Sequence, residues 1–303
     1  MTKRGWWLFG AMSIIWGIPY LLIKVAIRDF SPAALILSRT GIGALLLVPV
    51  ALAGGHLRPV MRRWKLVVAY TVVEVAIPWV LLPQAEHRLS SSLSGLLVAA
   101  VPLMGAVLGL SVKGRHRLTP VQVTGLVVGL GGVVLLAGLD VSGAAWSSVA
   151  EVAVVVVGYA AGPLILSRWL SDLPTLGVVA ASLGLCALGY LPVGLAQMPS
   201  HVPPIRVLAA VAVLGVVCTA LAFLLFFRLI GEVGPVRATV ITYVNPVVAV
   251  ALGVLFLNEH AGASTAAGAA LILAGSLLAN GRYPRRRRAV VAANPAELPV
   301  APP

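Results

Sequence analysis

Residues 92–138 read SLSGLLVAAVPLMGAVLGLSVKGRHRLTPVQVTGLVVGLGGVVLLAG. Two apolar runs, 92–112 and 119–138, flank a short cationic link, Lys113-Gly-Arg-His-Arg117. A helix rises about 1.5 Å per residue, so about 20 apolar residues cross the roughly 30 Å hydrocarbon layer of a bilayer. Each run is therefore a membrane span, and the basic link between them is a loop held on the cytoplasmic side.

The same reading extends along the whole chain. Runs of span length lie at 6–25, 33–53, 65–84, 92–112, 119–138, 147–167, 175–196, 206–227, 236–257 and 262–280. Of the 303 residues 60% are hydrophobic and 10% charged, more apolar surface than a water-soluble fold can bury. The basic N-terminus, Met1 to Arg4, leads into a run too long for a signal-peptide core and is read as a retained first helix. No link is long enough for a soluble domain. The net charge of +13 does not signal nucleic acid, because the cations sit between apolar runs rather than along a groove-reading helix. With the N-terminus inside, Arg28, Arg88 and Arg206 alone fall outside, Lys24 and Arg39 lie within spans, and the other 17 of the 22 Lys and Arg residues are cytoplasmic. Both termini are thus expected in the cytoplasm of a multi-pass protein of the cytoplasmic membrane.

Landmarks in the quoted stretch recur later at a fixed offset. Pro102 matches Pro246 and Gly109 matches Gly253, 144 residues on, as Pro19 matches Pro163 and Lys24 matches Arg168. Gly125, Gly132 and Gly138 match Gly268, Gly275 and Gly281 at 143, as Pro49 matches Pro192. Two halves of five spans each follow: 1–140, 141–281, and a basic, Ala/Pro-rich tail, 282–303, expected to be disordered in the cytoplasm. An odd number of crossings inverts the second half, and the basic link 113–117 corresponds to Leu257-Asn-Glu-His-Ala261, which has no Lys or Arg. The expected fold is all-α integral membrane, ten transmembrane helices as two inverted five-helix repeats. Inverted repeats are characteristic of secondary transporters.

Trp16-Gly17 with the run to Lys24, Ser38-Arg39, the stretch from Gly234 through Asn245-Pro246 to Glu259, and Gly268 to Gly275 resemble the EamA-like family of the drug/metabolite transporter superfamily. The resemblance implies ten helices around a central cavity and export or exchange of small metabolites. One departure concerns the family's Gly-Glu-Arg-like motif after the fourth and ninth spans. Glu259 keeps the acid, followed by His260, whereas the first half has Arg115 or His116. Glu259 is read as a loop anchor.

Glu74, mid-way along the third run, is the first candidate for the site, as a substrate-ammonium partner, a proton carrier or a neutral group bonded to a neighbouring helix, and no other acid is read as lying so deep. Its repeat counterpart is Cys218, so the scaffold does not require an acid there. Trp16, Tyr20, Trp79, Tyr159 and Tyr243 are aromatics inside spans, any of which can pack or line a cavity, and Asn245 adds a polar group at mid-depth. Pro19, Pro78, Pro102, Pro163 and Pro246 are hinge candidates or plain kinks. Lys24 and Arg39 lie near the outer boundary and are read as snorkelling, Arg39 with the option of a carboxylate at the outer mouth. The pairs Gly105/Gly109, Gly125/Gly129 and Gly158/Gly162 permit close helix contact.

An intramembrane enzyme would need a constellation such as His-Glu-x-x-His or Gly-x-Ser-x-Gly; neither occurs, and all five histidines lie in loops. Cys186 and Cys218 lie in apolar runs, which leaves no disulfide, Cys-based metal site or cofactor to expect. A receptor or scaffold would carry a domain outside the bilayer. The reading is a secondary transporter or facilitator that moves small organic solutes, amino acids or related metabolites, across the membrane by alternating access, export being the expected direction, with a gradient as its energy source because no Gly-x-x-x-x-Gly-Lys-Ser/Thr occurs. Its partners are the substrate and the lipid bilayer. The oligomeric state stays open, and one chain with both halves suffices for function.

Overall fold

A computed structural model describes residues 2–109, 119–140, 146–233 and 239–280. The link 113–117 with Arg115 and His116, the segment Gly234 to Arg237, Gly281 and the basic tail lie outside them. Among the described residues all regular structure is helical. In chain order the long helices are α1 (Lys3–Ala26), α2 (Pro32–Ala53), α3 (Trp64–Glu86), α4 (Ser91–Leu108), α5 (Pro120–Asp140), α6 (Trp146–Trp169), α7 (Thr175–Ala196), α8 (Ile205–Val233), α9 (Asn245–Leu257) and α10 (Ala263–Asn280), with a short helix, Leu57–Met61, between α2 and α3. Seven of them, α1 to α4 and α6 to α8, are long and apolar enough to cross a membrane. The apolar helical stretches Pro120–Leu136, Ile241–Leu257 and Ala263–Ala279 are shorter.

Local sequence sets where the helices start. The side chains of Thr2, Ser31 and Ser90 accept from the backbone N–H of Gly5, Ala34 and Leu93, capping α1, α2 and α4. Proline then sets where they break. In α1 the helix stops at Trp16 and restarts at Pro19, whose missing N–H and ring exclude a continuous ladder. Gly17 lies at this break because a Cβ there would come within 2.5 Å of Val248 in α9. In α4 the break falls before Val101 and Pro102. The run expected as one span over 236–257 holds a 3-10 turn, Thr239–Tyr243, and an α-helix that begins only at Asn245-Pro246. Pro163, matched to Pro19 in sequence, leaves α6 unbroken.

Two segments are π-helical, Thr71–Ala76 in α3 and Val216–Leu221 in α8. In α3 the wide turn precedes Pro78, which cannot donate to Glu74. In α8 there is no proline; the Thr219 hydroxyl enters the ladder and donates to the Leu214 carbonyl at 2.8 Å, five residues back.

The helices pair as α1 with α8, α2 with α7, α3 with α6, α4 with α9 and α5 with α10. The α5–α10 contact is made of backbone. A Cβ on Gly275 would lie 2.4 Å from the Gly129 nitrogen, and one on Gly132 would lie 2.7 Å from the Gly268 carbonyl oxygen. Gly105, expected in a close contact, has nothing within 4 Å. The main core joins α1, α2, α3, α4, α6 and α8, with single residues from α5, α9 and α10. Large apolar side chains such as Leu45, Val127, Leu188 and Leu255 point outward, fully consistent with lipid rather than water around the helices. Trp6, Trp7, Trp64, Trp146 and Trp169 are exposed at helix ends, where amphipathic rings anchor at headgroup level.

Candidate functional site

Each π-helical segment carries a buried polar side chain, Thr71 in α3 and Thr219 in α8. Arg39, two turns into α2, is only 8% exposed. Its guanidinium carbon lies 3.7 Å from the ring centroid of Trp79 in α3, and its Nε donates to Thr219 Oγ1 in α8 at 2.9 Å. Arg39 therefore does not snorkel. Thr219 is 180 residues away in sequence, so nothing local announces this contact. Lys24 also turns inward: its Nζ donates to the carbonyls of Glu86 and Leu89, the latter at 2.7 Å. It thereby closes the C-terminal end of α3, where cations and unpaired carbonyls attract.

Glu74 lies in the π-helical turn of α3 and faces α6. A Cβ on Gly162 would come within 1.8 Å of Glu74 Oε2, and one on Gly158 within 2.5 Å of the Val73 carbonyl oxygen. The two α6 glycines thus make the room that the wide turn and its carboxyl fill. Glu74 Oε2 is sealed from solvent and has no hydrogen-bond partner. Tyr159, between these glycines, packs beside Trp79 and interacts electrostatically with Arg39, Glu74 and Glu86. Tyr20, 7% exposed, interacts with Tyr159, Glu86 and Arg39.

Trp79, Tyr159 and Tyr20 are thus grouped around Arg39, and Glu74 neighbours Tyr159. The other expected site residues lie elsewhere. Trp16 packs against Phe226 and Phe223 of α8, with ring centroids 4.7 and 6.0 Å away. The Tyr243 hydroxyl donates to the Ser276 carbonyl at 3.4 Å. Asn245, with its amide turned to satisfy both groups, donates to the carbonyls of Ile241 (2.9 Å) and Ser13 (3.1 Å), tying the start of α9 to α1. Glu86 was missed by the sequence reading, which ended the third span at residue 84. It is fully buried at the C-terminal end of α3, and neither carboxylate oxygen has a hydrogen-bond partner, so Glu74 is not the only acid in the protein interior.

At the same end of the helices, Glu259 joins the two halves. Asn258 adopts a left-handed conformation (φ 55°) that ends α9 and turns Glu259 toward α4. The carboxylate accepts from the N–H of Ser91 (2.7 Å), the N–H of Ser92 (2.9 Å) and the hydroxyl of Ser92 (2.5 Å). Burial works to raise its pKa, but these hydrogen bonds outweigh it and hold Glu259 below the usual carboxylate value. Burial and the charge of Lys24 hold His87 below the ordinary imidazole value. Glu259 lines a cleft of about 320 Å³ with Lys24, Arg28, Arg88 and Ser90.

The EamA-like transporter family matches residues 3–138 and, a second time, 146–281. The chain belongs to that family. As an EamA-like protein it is similar to the uncharacterized inner membrane transporter YedA of Escherichia coli (strain K12), 28% identical over 81% of each chain. It is also similar to a protein of Streptantibioticus cattleyicolor named a probable terminal-alkyne amino-acid exporter, 24% identical over 93% of this chain and 95% of that one. A solved crystal structure at 22% identity shares the fold with a TM-score of 0.65, covering 92% of this chain and 97% of its own. Family and relatives make the EamA-like chain a transporter embedded in a membrane, with a small molecule as its cargo.

Proposed function

We propose that the chain is a ten-helix secondary transporter that exports small organic solutes, amino acids or close relatives, from the cytoplasm by alternating access. The observation that carries this reading is the polar cluster around Arg39. Trp79, Tyr20 and Tyr159, from helices of both halves, surround Arg39 in the bundle interior, and Glu74 lies beside Tyr159. Polar groups at that depth are costly to a membrane protein and are typically kept for the path of a solute or ion.

Further support comes from pairing. Exchanging the first five helices for the last five turns the α1–α8 pair into α6–α3 and maps α2–α7, α4–α9 and α5–α10 onto themselves. The third helix of each half carries a π-helical segment, and the family matches each half separately. A two-fold exchange of this kind supports two repeats around one shared site, and five spans in each half would invert the second. Both termini face the cytoplasm in this reading, as the Lys/Arg asymmetry requires. The breaks at Pro19, Pro102 and Pro246, and the π-turn before Pro78, supply hinges; Pro163 lies in an unbroken helix and supplies none. The amino-acid class rests on the name of the Streptantibioticus relative and on an acid placed to meet an ammonium group.

Uptake of labelled leucine, phenylalanine and methionine into proteoliposomes, with and without a pH gradient, tests the reading. The parent chain should give saturable uptake of at least one solute above protein-free vesicles. In Glu74→Gln, a proton-carrying Glu74 predicts loss of gradient-driven uptake with exchange retained. An ammonium-binding Glu74 predicts weaker binding of zwitterions with neutral solutes spared. A parent that moves none of a broad solute panel would overturn the transporter reading, and a variant indistinguishable from the parent at every pH would remove Glu74 from it.

A further inference from the structure

We propose that Arg39 binds the carboxylate of the transported solute, which makes the cargo a carboxylic acid with an apolar or aromatic body. The inference rests on the transporter reading above and adds the chemistry of recognition. Arg39 sits within a membrane helix, where an unpaired charge is costly and a positive charge ordinarily finds a partner or a pathway. Of its five N–H groups, only the one on Nε is used, by Thr219 Oγ1 at 2.9 Å, and Arg39 makes no other hydrogen bond among the described residues. Among the described residues no ion pair engages it either.

The residues around the guanidinium hold it in place without neutralising it. The Thr219 hydroxyl gives its proton to the Leu214 carbonyl, so its oxygen faces Arg39 as an acceptor. Trp79 covers one face of the guanidinium at 3.7 Å. Tyr159, Tyr20, Cys186 and Cys218 act on it electrostatically, and among the described residues no carboxylate lies within ion-pair distance of it. The two terminal nitrogens therefore form a fixed, unoccupied fork, the geometry that takes a carboxylate in two parallel hydrogen bonds. They are not among the polar atoms sealed from solvent, in contrast to Glu74 Oε2 and both Glu86 oxygens. The repeat offsets place Ser182 and Leu183 opposite Arg39 in the second half, so the scaffold itself does not call for a cation here. Trp79, Tyr159 and Tyr20 around the fork suit an apolar or aromatic body attached to the acid.

The test compares each amino acid with its own amide. Leucine, phenylalanine and methionine, and leucinamide, phenylalaninamide and methioninamide, are titrated against the purified full chain by thermal stabilisation in detergent, and as competitors of labelled uptake in proteoliposomes. At least one acid should bind, and its amide should bind about 10- to 100-fold more weakly, the weight of a charge-assisted bidentate contact. Arg39→Gln should lose the same factor for the acid and nothing for the amide, while Arg39→Lys keeps part of it. Amides that bind and compete like the acids would overturn the proposal on the parent chain alone, even if neither variant folds. So would an Arg39→Gln protein that binds acids like the parent, or a parent that transports solutes but binds no carboxylate. Only a parent that moves no solute at all counts against the transporter reading itself.

Discussion

At the residue scale, what matters is which groups are paired and which are left open. Glu259 is paired. Its carboxylate supplies the acceptor for the first two N–H groups of α4, which a helix N-terminus cannot satisfy by itself. Because its folded pKa lies below the ordinary carboxylate value, the stabilisation is full at pH values above that ordinary value and is lost as the pH falls through the folded pKa. Glu259→Gln should therefore lower stability at pH 7 by about 1 kcal/mol, the usual weight of a helix cap at a half-exposed, solvent-screened site. The gap to the parent should close toward pH 4 and below, read as the difference in thermal unfolding temperature in detergent; an equal gap at pH 7 and pH 4 would remove the carboxylate charge from the account. Glu259 as an anchor was legible because an acid in a short loop between helices has few other uses. Arg39 was not, since a cation two turns from a span end looks the same whether it reaches for headgroups or for a threonine 180 residues away. Glu86 hid in the same way, placed by hydropathy in a loop that the helix in fact includes.

At the element scale, proline and glycine carried most of what could be read. The breaks at Pro19, Pro102 and Pro246 follow from one missing N–H each, and the glycine spacing of α5 and α10 marks the tightest helix contact. The π-helical turns had no signal in hydropathy, because adding one residue to a turn leaves an apolar run apolar. In α8 the cause is a single threonine hydroxyl, which no periodicity reports. Pro163 shows the reverse: a proline matched in sequence to a helix break can sit in a continuous helix when neighbouring elements hold it. Two glycines separate contact from pattern. Gly275→Ala drives a methyl into the backbone of Gly125 and Gly129 and should cost about 3 kcal/mol, with loss of monodisperse protein in size-exclusion chromatography. Gly105→Ala enters open space and should leave the elution profile and thermal stability unchanged or slightly improved. Equal behaviour of the two variants would contradict the α5–α10 packing.

At the scale of the whole molecule, the two halves were legible as a repeat because landmark residues recur at one offset. Their pairing was not, since sequence comparison aligns the halves without saying which helices touch. The observed pairs interlock the halves at every helix, with α2 against α7 and α4 against α9 flanking the Arg39, Glu74 and Tyr159 cluster. A site built jointly by two halves can be opened to one side of the membrane and then the other, which is the central claim for this protein. Counterflow tests it most directly. Proteoliposomes of the parent chain are loaded with a millimolar unlabelled amino acid that the chain carries and diluted into trace label of the same compound. Alternating access predicts that labelled solute rises transiently above its equilibrium level and then decays, because inward and outward movements share one site. A monotonic rise to equilibrium, unaffected by internal solute, would mark an open pore and contradict the account.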